Sequence, residues 1–129
     1  MSKFINLNTN PHNRQVGDCV VRAIGMATNQ TWDETFDELC QIARETKSMP
    51  DGDDVYGLLL ARHGFQRIPI IVKKNSKRPT VSQMCELCPK QEFIVCKVAH
   101  HLVAVSRDGY YDTWDSGDKP LYAYFKKVD

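Results

Sequence analysis

An almost wholly apolar stretch, Cys19-Val20-Val21-Arg22-Ala23-Ile24-Gly25-Met26-Ala27, follows the breaker pair Gly17-Asp18. Apolar positions on nearly every face predict a buried central helix over 19–28 rather than a surface helix. Thr31-Trp32-Asp33-Glu34 is a capping-box pattern. It opens a second helix that carries Phe36, Leu39, Cys40 and Ala43 on one stripe to about Glu45, with Trp32 as its docking anchor. After the loop Met49-Pro50-Asp51-Gly52-Asp53, Val55, Leu58, Leu59 and Leu60 predict a third helix closed by His63-Gly64. Residues 65–72 read as a strand, and Pro69 argues for a sheet edge. Thr80-Val81-Ser82-Gln83 repeats the capping-box pattern before a short helix that Pro89 ends. Strands are expected over 92–98, 101–106 and 110–115, with a loosely alternating one over 121–126. Residues 1–17 read as an extended polar lead-in. Helices first and an antiparallel meander last make an α+β pattern.

Composition narrows the partners. The chain has 129 residues, 42% hydrophobic and 26% charged, as in a soluble globular protein, and its length predicts one domain over 1–129. Seventeen Lys and Arg against sixteen Asp and Glu, well mixed, give a net charge of +1. That is not the footprint of a duplex-binding protein, and the basic run over 73–78 reads as a solvated loop, so no nucleic-acid partner is expected. The first residues are too polar for a signal peptide, and no apolar run approaches membrane-spanning length. A cytoplasmic monomer is expected, with no membrane partner. The five cysteines are an odd set without a disulfide framework, so most read as free thiols.

One of those thiols carries candidate chemistry. Cys19 heads a helix, where the macrodipole favours thiolate over thiol. His101 opens the strand His101-Leu102-Val103-Ala104-Val105, and Asp112-Thr113-Trp114-Asp115 follows the next strand. Cysteine, histidine and carboxylate in that order are the elements of a nucleophile triad. A three-residue loop with Gly109 left-handed pairs Ser106 with Tyr110 and sets His101 opposite Asp115. A two-residue Asp108-Gly109 turn instead sets Ser116 opposite His101 and sends Asp115 to the other face. His100 competes for the base role but faces the other way on an alternating strand. Asp112, Asp115 and Asp118 also suit plain turn and cap positions, and Trp114 suits a core position. The rival chemistry is zinc on Cys85-x-x-Cys88, Cys96 and His100. Against it, the first two lie in a helix and Cys96 reads as core, so neither metal nor other cofactor is expected.

The Asp18-Cys19 pair heading a buried helix, the His101-apolar strand and the following Asp115 resemble the papain-like cysteine peptidase superfamily. The nearest likeness is to the compact branch that includes the bacteriocin-leader (double-glycine) peptidases. The chain also resembles short phage and bacterial proteins with a Gly-Asp-Cys-Val-x-Arg-Ala start and an Asp-Thr-Trp-Asp-Ser end. The resemblance implies a compact papain-like α+β fold, with a buried N-terminal nucleophile helix packed on a C-terminal antiparallel sheet. It implies hydrolysis of a peptide or isopeptide amide in a protein or peptide substrate through a thioester, with Cys19, His101 and Asp115 as triad. The superfamily's oxyanion glutamine stands six residues before the cysteine, where this chain has Asn13; Gln15 lies four before. Either is an oxyanion candidate beside the Cys19 backbone amide. The other expectation is an inactive scaffold of this kind, such as a phage-encoded inhibitor that binds a host protein.

Overall fold

The computed structural model describes residues 3–89 and 91–128. Its described elements run β1 (Phe4–Asn6), α1 (Cys19–Thr28), α2 (Trp32–Thr46), α3 (Asp53–Arg62), β2 (Phe65–Pro69), α4 (Val81–Met84), a 3-10 turn (Cys85–Leu87), β3 (Ile94–Val98), β4 (His101–Ser106), β5 (Gly109–Asp112) and β6 (Ala123–Lys127). The six strands form one mixed sheet in the order β1-β5-β4-β3-β6-β2. Helices α1, α2 and α3 cover one face with Leu102, Ala104, Val95 and Phe125. On the other face α4 and the 3-10 turn pack with Ile94, Cys96, Val103 and Val105. Period-two alternation along β3 and β4 thus feeds two separate cores, which explains the consecutive apolar runs Ile94–Cys96 and Leu102–Val105.

Local signals mark the helix ends. α1 ends with Asn29 left-handed at φ 57°. The Thr31 hydroxyl accepts from the Glu34 amide while the Glu34 carboxylate takes the Thr31 amide, and Thr80 and Gln83 do the same for α4. β2 lies at the sheet edge, as Pro69 requires.

The sheet is not purely antiparallel and C-terminal. β1, inside the expected lead-in, pairs parallel with β5, matching Phe4 with Tyr110. Its approach resets the β4–β5 hairpin. Ser106 pairs with Gly109 across a two-residue Arg107-Asp108 turn, so Gly109 is a strand residue and not a left-handed loop residue. Glycine is needed there because a Cβ would collide with the Lys3 carbonyl oxygen. Strand β5 then stops at Asp112, three residues earlier than expected.

Candidate active site

Cys19 is the first residue of α1, at the positive end of the helix, and its amide has no carbonyl partner within that helix. The helix packs on β4, a central strand. His101 opens that strand, directly after a turn in which His100 is exposed with a left-handed φ of 54°. His101 itself is 9% exposed. Its Nε2 lies 2.6 Å from Asp112 Oδ2. With that nitrogen engaged, Nδ1 is left for the Cys19 thiol, which hydrogen-bonds the imidazole and is also met by the Leu102 backbone.

Charge follows from these contacts. Burial pushes the Cys19 thiol up, but the His101 hydrogen bond, the Leu102 backbone and the charges on His101 and Arg22 outweigh it and hold the thiol below its ordinary range. Burial also opposes the imidazolium; Asp112 and Cys19 overcome it and raise His101 to about 9. Desolvation of Asp112 is offset by His101, Ser116 and the Thr113 amide, so its carboxyl stays below the usual carboxylate range. These contacts shift the site toward thiolate, imidazolium and carboxylate in a row.

The carboxylate beside His101 is therefore Asp112, where Asp115 was expected. The hairpin register is one step from the anticipated three-residue-loop register and two from the Asp108-Gly109 one: continued outward, it sets Trp114 opposite His101. By Asp115 the chain has left the sheet, and that side chain accepts from the Tyr110 hydroxyl at 2.6 Å and the Gly117 amide at 3.0 Å. Trp114 is not core; it is 43% exposed, with its ring centroid 4.8 Å from that of His101.

Asp112 is held from several sides. Its Oδ2 also accepts from Ser116 Oγ at 2.7 Å, and its Oδ1 accepts from the Thr113 amide at 2.8 Å and from Arg22 Nη1 at 3.2 Å. Arg22 Nε donates to Asp18 Oδ1 at 2.8 Å, and Trp32 Nε1 donates to Asp18 Oδ2 at 2.9 Å. Asp18, Arg22, Asp112 and Ser116 are all buried. A lone arginine in an apolar helix, four residues after an aspartate, was the sequence signal for this network, because a buried guanidinium demands carboxylate partners.

Gln15 lines a cleft of about 540 Å³ together with Cys19, His101 and Trp114. Asn13 does not line it; that residue is exposed in a left-handed turn at φ 52°. Of the two oxyanion candidates, Gln15 is the one at the cleft.

No family model, curated protein or solved structure matches this chain. The site thus rests on its own geometry. The other thiols differ from Cys19: Cys85, Cys88 and Cys96 are buried in the second core, where burial raises all three, Cys88 to about 12. Among the described residues no cluster of three or more His, Cys, Asp or Glu is arranged to hold a metal ion. No helix among them is long and apolar enough to cross a membrane.

Proposed function

We propose that this chain is a thiol-dependent amide hydrolase of papain-like type, acting on a peptide or isopeptide bond through a thioester. The observation that carries the reading is the His101 imidazole held between the Cys19 thiol and the Asp112 carboxylate. In this reading the Cys19 thiolate attacks the carbonyl carbon, and the carbonyl electrons move onto oxygen. The Cys19 amide, helped by Gln15, receives that oxyanion. Imidazolium His101 gives its proton to the leaving amine as the tetrahedral adduct collapses to a thioester. Neutral His101 then takes a proton from water, which attacks the thioester, and collapse of the adduct releases the acid and the Cys19 thiolate beside the imidazolium, restoring the starting pair. Asp112 keeps the ring oriented and supports its positive charge throughout. A cleft of about 540 Å³ has the size of a small-ligand or peptide-segment site.

Trapping tests this reading. A library of electrophilic peptides is expected to label Cys19, located by peptide mass spectrometry, and to leave Cys85, Cys88 and Cys96 unmodified. A cleavable peptide found this way should give a bell-shaped rate profile. Its acid limb reflects the depressed Cys19 thiol, and its alkaline limb, near pH 9, reflects loss of the His101 proton. Failure of every member to label Cys19 would remove the peptidase reading.

A further inference from the structure

A triad needs only its carboxylate, yet here the carboxylate has a counter-ion of its own that the chemistry above does not use. Arg22 lies one helical turn after the nucleophile on α1, 8% exposed along its side chain. Its guanidinium bridges two carboxylates: Asp18 through Nε, and Asp112, the partner of His101, through Nη1. Asp18 is fixed in turn by the Trp32 indole of α2. The same helix therefore carries the thiol and the group that grips the carboxylate on β5. We propose that Arg22 is a positioning residue that acts through Asp112, aiming that carboxylate at His101 and keeping it ionised beside the thiolate–imidazolium pair. The assignment rests on the reading of Cys19 and His101 as nucleophile and base.

The charges make the need plain. With Cys19 ionised and His101 protonated, Asp112 and Asp18 would leave the buried group two negative charges in excess; Arg22 reduces that to one. Lys97 of β3, a further cation lining the cleft, pairs instead with Asp53 of α3 at 3.7 Å. Only a planar fork with donors on separate nitrogens spans two carboxylates in this way; a lysine ammonium supplies the charge without the bridge.

The test is the pH profile of Cys19 alkylation by iodoacetamide, read by mass spectrometry, in the wild type, R22Q, R22K, D112N and R22Q/D112N. R22Q should move the midpoint up by about one pH unit, and R22K should restore most of that shift. In the D112N background R22Q should add only the smaller direct influence of its charge on Cys19, because the carboxylate through which Arg22 positions His101 is already neutral. Continued protection of Cys85, Cys88 and Cys96 certifies the fold of each variant. A folded R22Q with an unmoved midpoint overturns the proposal, as does a full R22Q shift on top of D112N. Should R22Q expose Cys96, R22K decides: a rate at pH 6 about threefold lower in the wild-type background but unchanged in D112N supports it, and equal effects in both overturn it. A wild type whose Cys19 reacts no faster than Cys40 would instead sink the nucleophile reading itself.

Discussion

His101→Ala is expected to move the midpoint of Cys19 alkylation upward by about two pH units or more. Two opposing influences act on this thiol: burial, which raises it, and His101 with the Leu102 backbone and Arg22, which lower it. Removing the imidazole deletes the largest lowering influence and leaves the burial in place, so the thiol should end above its ordinary range. Hydrolysis of a cleavable peptide should fall by about a thousandfold, the range for losing a positioned general acid–base. The fold should survive the change. Asp112 keeps Ser116, the Thr113 amide and Arg22 as partners, so no buried carboxylate is orphaned. Alkylation profiles of the variant against the wild type check both expectations, with protection of Cys96 as the control for folding.

The second large effect separates two aspartates three residues apart. Asp112→Asn should lower hydrolysis by about a hundredfold or more, since it removes the charge that stabilises the imidazolium. His101, raised to about 9 chiefly by Asp112 against its own burial, should drop toward or below its ordinary 6.5. The alkaline limb of the rate profile then moves down in pH. Stability should also fall, by about 3 kcal/mol, because Arg22 loses one of its two buried carboxylate partners. Asp115→Asn should leave the rate and the alkylation midpoint essentially unchanged, for its partners are the Tyr110 hydroxyl and the Gly117 amide. Peptide cleavage rates for the two variants, with urea denaturation alongside, make the comparison. The opposite ranking would return the carboxylate role to Asp115.

That contrast also shows what the sequence holds and what it does not. The bounds of α1, both capping boxes, the edge position of β2 and the pairing of Cys19 with His101 were legible, because each depends on neighbours in sequence or on a strongly patterned segment. β1 was not legible: three residues in a polar stretch become a strand only because β5 is there to pair with them in parallel. The misplaced carboxylate follows from that one omission. Gly109 suits a left-handed loop position by local rules, but the approach of Lys3 claims it for the strand and shortens the turn to Arg107-Asp108. Arg22 was half legible, since Asp18 stands four residues before it while Asp112 is supplied only by the fold. The papain-like likeness named Cys19, His101 and Asp115, of which Asp115 gives way to Asp112 beside His101, and left the oxyanion donor open between Asn13 and Gln15; the cleft favours Gln15.

The central claim is that Cys19 is an activated thiol because His101 and Asp112 make it one. Cys40 is the natural reference, as it too is a free, half-buried cysteine. The decisive measurement is the rate of iodoacetamide alkylation at each of these two residues in the native protein at pH 6. Reaction at Cys19 about tenfold faster than at Cys40 is the predicted result, the excess expected when a lowered thiol pKa raises the thiolate fraction more than it blunts nucleophilicity. Equal rates, or a faster Cys40, would contradict the account.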